Sequence, residues 1–148
     1  MLYRSSHSVF DCRYHLIWSF KYRKRALEHA HERKECADQL RRIGAEYGME
    51  IYTVEVAEDH VHIYIQVPPQ RSVGRAVGIL KSLSARKMFK RFPYLKRKYW
   101  AGELWESSYT AKTVGEGVTG EMVRRYIELH EARALDPVQA ELFPKEKA

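Results

Sequence analysis

Long apolar runs are missing from this chain of 148 residues. No stretch approaches the roughly 18 unbroken apolar residues that a membrane-spanning helix needs, and no signal-peptide pattern opens the sequence. Cysteine is scarce as well, since only Cys12 and Cys36 are present and neither has a metal-ligand spacing such as CxxC. These absences exclude a disulfide scaffold and predict a cytoplasmic protein with free thiols and no membrane contact.

Acidic residues are absent from one long segment. Residues 71–98 hold ten Lys or Arg and no Asp or Glu, and residues 21–25 add four more basic residues. The net charge of the chain is +7, so everything outside these two segments carries −7. A run of one sign this long repels itself unless phosphates or a partner face it, so we favour nucleic acid as the partner over an ordinary solvated helix face.

The composition and length of the chain are those of one folded domain. Apolar residues make up 45% of the chain, and its length suits a single buried core. We assign residues 1–135 to this domain. Residues 136–148 follow Asp136-Pro137 and lack apolar periodicity, so we expect a flexible tail.

Hydrophobic periodicity predicts alternating strands and helices. Gly48 is placed to end the first helix, Ser72 to cap the second and Pro93 to stop it. The predicted strands cover residues 9–19, 50–56, 60–67 and about 108–114, and the predicted helices cover about 26–47, 72–92 and 119–135. This order is that of an α+β, ferredoxin-like βαββαβ fold, an antiparallel sheet with helices on one face, followed by a C-terminal helix. Many functions use this fold, so it does not define one.

His60 and His62 are the first candidate site. One residue separates them on a predicted strand, so both imidazoles point to the same face of the sheet. A pair of neutral imidazoles is a common way to bind a transition metal. On this spacing alone, two partly buried histidines beside a turn fit the pattern equally well.

Tyr126 and His130 lie four residues apart on the last predicted helix and share one of its faces. If this face packs over His60 and His62, His130 would complete a metal shell and the Tyr126 hydroxyl would meet a metal-bound phosphate. Alternatively, Tyr126 is one of ten tyrosines packing a core and His130 interacts with the helix dipole.

Several short stretches extend this pattern along residues 9–131. They are YHLIW at 14–18, KYR at 21–23, DHVH at 59–62, LKSLSAR at 80–86, LW at 104–105, SY at 108–109, TV at 113–114 and RYIE at 125–128. In order and spacing they resemble the single-tyrosine HUH transposases of bacterial and archaeal insertion sequences, which move DNA as single strands. The combination is specific, whereas the histidine pair alone would be a weak signal.

The resemblance implies roles for the candidate residues. Tyr126 matches the nucleophile that forms a 5′-phosphotyrosine and frees a 3′-hydroxyl. His60 and His62 match the pair that binds a divalent ion, Mg²⁺ or Mn²⁺. His130 stands where the family usually has Gln as third ligand, and three nitrogen ligands would shift the preference toward manganese, cobalt or zinc.

The resemblance also implies partners. Family members recognise DNA hairpins at the ends of the element and form homodimers in which the tyrosine helix can lie against the partner's histidine pair. A hinge in the glycine-marked stretch 115–120 would allow that movement.

Basic and aromatic side chains provide the candidate DNA surface. Trp100, Trp105 and Tyr109 could stack unpaired bases, or could pack a core. The candidate nucleic-acid-binding residues are Arg13, Lys21, Arg23, Lys24, Arg25, Arg71, Arg75, Lys81, Arg86 and Lys87.

Two other functions remain open. The first is a non-catalytic, RRM-like module that binds single-stranded nucleic acid, in which Tyr126 would be dispensable. The second is a metal-dependent phosphoesterase that uses water, which would leave no covalent intermediate.

Overall fold

A computed structural model describes residues 2–23, 25–99, 102–115 and 125 of the chain. Within these ranges, no helix is long and apolar enough to cross a membrane. The predicted last helix, with Tyr126 and His130, lies outside the described residues apart from Arg125, and the predicted tail lies wholly outside them.

Six strands and three helices are described, with one 3₁₀ turn at Lys21–Arg23. The strands are β1 (Tyr3–Arg4), β2 (Val9–Phe10), β3 (Arg13–Ser19), β4 (Glu50–Val56), β5 (His60–Gln66) and β6 (Thr110–Val114). The helices are α1 (Ala30–Glu46), α2 (Val73–Arg91) and α3 (Leu95–Lys98).

The main sheet has four antiparallel strands in the order β4-β5-β3-β6, and β1 and β2 form a separate hairpin. This order, with one helix between β3 and β4 and another between β5 and β6, confirms the predicted ferredoxin-like α+β fold. One face of the sheet packs against α1 and α2, where residues such as Leu16 and Ile63 from the strands meet Leu40 and Leu80 from the helices. The histidines of β5 therefore belong to the opposite face.

The second helix follows its sequence signals closely. The Ser72 hydroxyl oxygen accepts a hydrogen bond from the Arg75 amide at 3.0 Å, which confirms Ser72 as the N-cap of α2. The helix ends at Arg91, just before Phe92 and Pro93. At the end of α1, Gly48 has the positive φ of 70° expected for its left-handed position.

The predicted strand over residues 9–19 is instead two strands separated at Asp11 and Cys12. The Cys12 amide donates to the Gln66 side-chain oxygen at 2.6 Å, and the Cys12 carbonyl accepts from the Val67 amide at 2.9 Å. Cys12 is therefore bonded to the end of β5 and its neighbour Val67, and not to the N-terminal hairpin strand β1.

The first helix begins at Ala30, four residues later than predicted. Ala26 and Leu27 are apolar and buried, but as part of a loop whose amides donate to the Glu58 carbonyl. Glu32 then fixes the start of the helix because its carboxylate accepts from the His29 amide at 3.0 Å. The last strand likewise begins at Thr110 rather than Ser108.

Candidate functional site

The site lies on the sheet face that points away from α1 and α2. Strands β3 and β5 are paired so that Ser19 is opposite His60 and Ile17 is opposite His62. Because side chains alternate along a strand, His60, His62 and His15 all project from this one face. His15 and His62 are completely buried, whereas His60 is partly exposed.

The structure brings His60 and His62 together as predicted. Their ring centres are 4.9 Å apart and the ring planes are nearly perpendicular, at 80°. Metal–nitrogen bonds of about 2.1 Å put each ring centre roughly 3 Å from an ion, so two imidazoles on one ion have centres about 4.5–5.5 Å apart. The observed separation fits a shared ion.

The Nδ1 atom of each histidine has a hydrogen-bond partner. His60 Nδ1 lies 2.6 Å from a carboxylate oxygen of Asp59, and His62 Nδ1 lies 3.3 Å from His15 Nε2. A neutral imidazole that donates through Nδ1 carries its lone pair on Nε2, the nitrogen that can bind a metal. The Asp59 carboxylate can only accept, so it favours the ligand form of His60. Neither His15 nor Asp59 was assigned a role from the sequence.

The donor set in the described residues is incomplete for a metal. In that part of the chain no group of three or more His, Cys, Asp or Glu side chains could hold an ion. His60 and His62 fit as two ligands, and the predicted third ligand, His130, and the predicted nucleophile, Tyr126, lie outside the described residues.

Arg13 belongs to the interior of the same face. Its side chain is 8% exposed, pairs with the Asp11 carboxylate at 2.6 Å and donates to the Tyr64 hydroxyl at 2.8 Å. The hydrogen bond between Arg13 and Asp11 raises the pKa of Arg13 above its ordinary value and lowers the pKa of Asp11. This placement does not suit the predicted contact with nucleic acid, and we leave Arg13 out of the DNA surface.

The N-terminal hairpin reaches this face through tyrosines. The Tyr3 hydroxyl is hydrogen-bonded to the Tyr52 hydroxyl, and the Tyr52 ring packs on Tyr64 with centres 4.7 Å apart. Burial, together with the bond to Tyr3, raises the pKa of Tyr52. Both strand tyrosines are therefore held in a packed cluster, with Tyr64 only 4% exposed.

The turn Lys21–Arg23 lies at the histidine end of the sheet. It directly follows β3, and the Phe20 amide donates to the Asp59 carbonyl at 2.9 Å. Tyr22 is 57% exposed and has a φ of 62°, a left-handed conformation that is uncommon for residues other than glycine. The Lys21 ammonium lies 5.5 Å from the Tyr22 ring centre and pairs with Glu103 at 2.9 Å.

Three more predicted DNA contacts follow this turn or belong to it, and the structure describes them to different extents. Arg25 is largely exposed, with its guanidinium 3.5 Å from the Glu58 carboxylate. Lys24 lies outside the described residues. The backbone of Arg23 belongs to the turn.

Lys81 joins α2 to the loop before β6. Its ammonium donates to the carbonyls of Glu106 at 2.5 Å and Ser108 at 2.9 Å, and it lies 5.7 Å from the Trp18 ring centre. Burial lowers the pKa of Lys81. These bonds give Lys81 a structural role in addition to the predicted contact with nucleic acid.

The aromatic candidates separate into core and surface. The Trp105 indole is buried, stacks on Phe20 with ring centres 4.2 Å apart and donates to the Ser84 hydroxyl at 2.9 Å, so it packs the core. Tyr109 is exposed beside Lys81. Trp100 lies outside the described residues.

The remaining predicted DNA contacts lie on or near α2. Arg75 and Arg86 are exposed on the helix, and Lys87 is half-buried. The Arg71 guanidinium donates to the Tyr47 carbonyl at 2.5 Å and lies 5.8 Å from the Tyr47 ring centre. These side chains give the helix layer a positively charged surface on the far side of the sheet from the histidines.

The ferredoxin-like sheet, its His-x-His strand and the basic helix that follows agree with the sequence resemblance to the HUH transposases. The family model described as "Transposase IS200 like" matches residues 8–130, and the chain belongs to this family.

Similar proteins agree with this assignment. The chain is 44% identical over 122 residues to the ISDra2 transposase TnpA of Deinococcus radiodurans, covering 81% of this chain and 84% of that protein. It is 32% identical over 111 residues to the IS200 transposase of Salmonella typhimurium, covering 75% and 72% of the two chains.

Two solved structures share the fold. A Deinococcus radiodurans structure described as a candidate transposase superposes with a TM-score of 0.69 at 38% identity, covering 85% of this chain and 95% of the other. A REP-associated tyrosine transposase bound to a REP hairpin superposes with a TM-score of 0.56, covering 100% and 92%, and its identity of 11% shows likeness of fold alone.

Proposed function

We propose that this transposase cleaves and rejoins single-stranded DNA through Tyr126, at a divalent-metal site formed by His60, His62 and His130. The observation that carries the proposal is the paired orientation of His60 and His62. The Asp59 carboxylate lies 2.6 Å from His60 Nδ1, which suits metal binding through Nε2 of His60. A bound Mg²⁺ or Mn²⁺ would neutralise the charge of the phosphate that is attacked.

The proposed reaction exchanges one phosphodiester for another. The Tyr126 oxygen attacks the phosphorus, the bond from phosphorus to the 3′-oxygen breaks, and the phenolic proton is lost while the leaving 3′-oxygen gains one. The products are a 5′-phosphotyrosine and a free 3′-hydroxyl. Because the two linkages have similar energies, a 3′-hydroxyl can attack the phosphotyrosine and rejoin strands without ATP.

Exposed cations support a DNA-binding role for this chain. Arg25, Arg75 and Arg86 are exposed, so each can meet a backbone phosphate, and such contacts make affinity fall steeply with salt. The exposed ring of Tyr22 follows the strand that pairs with His60, where it can stack an unpaired base.

We propose DNA hairpins at the element ends as the specific partner, supported by the shared fold with a transposase described as bound to a REP hairpin. We also propose a homodimer in which the Tyr126 helix of one subunit can lie against the histidine pair of the partner subunit. A substrate that is cellular DNA would also place the protein in the cytoplasm.

The RRM-like alternative has less support. An RRM stacks bases on exposed aromatic side chains of its central strands. In the described sheet, Tyr64 is buried against Tyr52 and the neighbouring positions of that face are His62 and Gln66, both buried. This face lacks the open aromatic surface that such a module needs.

The test uses single-stranded, hairpin-bearing oligonucleotides from the genomic flanks, labelled at the 3′ end. The full-length protein with Mn²⁺ is expected to give a labelled protein band on a denaturing gel. The band should disappear with Tyr126→Phe and weaken strongly with His62→Ala. Cleavage without a retained label would instead indicate the water-using phosphoesterase, and binding without cleavage would indicate the non-catalytic module.

A further inference from the structure

His15 is a buried histidine that takes no part in the chemical step of the proposed reaction. It lies on β3 one position diagonal to His62 of β5, since its own cross-strand partner is Tyr64. His15 and His62 are both 0% exposed, and their ring planes are within 7° of parallel. The 3.3 Å contact between His15 Nε2 and His62 Nδ1 therefore joins two imidazoles inside the sheet face.

A hydrogen bond between two ring nitrogens needs one donor and one acceptor. If His15 Nε2 donated, His62 would accept on Nδ1 and would carry its own proton on Nε2. His62 would then have no lone pair on Nε2 for a metal. If His62 Nδ1 donates to His15 Nε2, the lone pair of His62 lies on Nε2, the form that a metal ligand requires.

His60 and His62, the two proposed metal ligands, have different hydrogen-bond partners. Asp59 is 51% exposed, so water can replace its carboxylate as an acceptor for His60. His15 is completely buried, so water cannot easily take its place beside His62. The effect of removing the acceptor should therefore be larger at position 15 than at position 59.

We propose that His15 is a positioning residue for the metal site, which accepts the Nδ1 proton of His62 and so fixes the tautomer and orientation of that ligand. The inference rests on the proposed function, because it takes His62 to bind a divalent cation. His15 itself touches neither metal nor DNA in this role. Its ring acts through His62 alone.

The first test uses the unmodified, full-length protein without metal. Side-chain ¹⁵N NMR distinguishes a protonated from an unprotonated ring nitrogen. The expected result is that His62 carries its proton on Nδ1 and that His15 Nε2 is unprotonated. A His62 proton on Nε2 would overturn the proposal, and this result does not depend on the folding of any variant.

The second test compares two substitutions by Mn²⁺ titration. His15→Phe keeps a ring but removes the acceptor, and we expect Mn²⁺ affinity to fall about 10- to 100-fold. His15→Gln restores an acceptor and should bind nearly as tightly as the wild type. His31→Phe, a change at an exposed histidine of α1, is the matched control and should leave affinity unchanged.

The outcomes separate this inference from the proposed function. If the wild type binds no Mn²⁺, or if His62→Ala binds it as tightly as the wild type, the proposed metal site itself is wrong. If His62→Ala abolishes binding while a folded His15→Phe protein binds as the wild type does, only the role of His15 is wrong. Equal loss in His15→Phe and His15→Gln would also contradict the acceptor role.

Discussion

The two faces of the central sheet differ in the kind of side chain that they bury. The face under α1 and α2 is apolar, with residues such as Leu16, Val61 and Ile63 filling a continuous core. The other face buries polar groups, including Arg13 and His62, and gives them specific partners. A buried apolar group requires only space, whereas a buried polar group requires a hydrogen bond. We therefore expect the first face to provide stability and the second to hold the site in one arrangement.

Removing volume from the apolar face should have the largest effect on stability. Ile63→Ala should lower the free energy of unfolding by about 2–5 kcal/mol, because it leaves a cavity among fully buried side chains. Urea unfolding measures the change. Ile63→Leu conserves volume and should cost less than about 1.5 kcal/mol. Mn²⁺ affinity of the folded Ile63→Ala protein should remain near that of the wild type, and its loss would contradict the division between faces.

A substitution on the polar face tests whether its buried groups depend on their hydrogen-bond partners. Arg13→Met keeps much of the side-chain volume but leaves Asp11 and the Tyr64 hydroxyl without their shared donor, so stability should fall by about 1–3 kcal/mol. Lys34→Met breaks the exposed pair with Asp38 and should cost less than about 0.5 kcal/mol in the same urea unfolding. Equal losses in the two variants would show that burial adds nothing to the Arg13 interactions.

Tyr22 tests whether the exposed turn serves binding rather than stability. Tyr22→Gly suits the positive φ, so the protein should be no less stable, but loss of the ring should weaken single-strand binding about tenfold. Tyr22→Phe keeps the ring and should bind normally. Fluorescence anisotropy with a labelled oligonucleotide measures both variants. A Tyr22→Gly protein that binds as tightly as the wild type would remove Tyr22 from the DNA surface.

The smallest expected effect is a pH dependence. The pKa of Asp11 is lowered from 3.8 by its bond to Arg13, so the carboxylate stabilises the fold above that pH and this stability is lost as the pH falls through the lowered pKa. Asp11→Asn should make the free energy of unfolding less dependent on pH below 3.8. Urea unfolding at acidic pH values compares the two proteins. An unchanged pH dependence would mean that Asp11 does not contribute through this bond.

Local sequence signals predicted the parts of the fold that depend on local chemistry. The two-residue period of β5, the Ser72 cap and the left-handed Gly48 all match the structure. The period of β4 is interrupted, because its register with β5 shifts between Ile51 and Thr53, and Ile51 rather than Tyr52 joins Val54 and Val56 against the core. The start of α1 did not follow from the sequence, because Ala26 and Leu27 read as helix but are buried as a loop. Only the tertiary contact with Glu58 distinguishes the two cases.

In the candidate site, too, the sequence predicts what depends on local spacing and misses what depends on tertiary contacts. The HxH spacing is enough to place His60 and His62 on one face, and the structure has them there. His15 could not be assigned in this way, because its contact with His62 depends on the register between β3 and β5. The sequence likewise does not show that Asp11 and Tyr64 bind Arg13 in the interior. Without that information, the positive charge of Arg13 suggested a DNA contact.

In the proposed reaction, Tyr126 becomes covalently attached to the 5′ phosphate of the cleaved strand. The protein is reacted with a hairpin-bearing single strand and Mn²⁺ and then digested by protease and nuclease. Mass spectrometry of the resulting peptides locates the attached nucleotide. We expect a nucleotide phosphate on Tyr126 and on none of the other nine tyrosines. Cleaved DNA with an unmodified Tyr126, or an adduct on a different tyrosine, would contradict it.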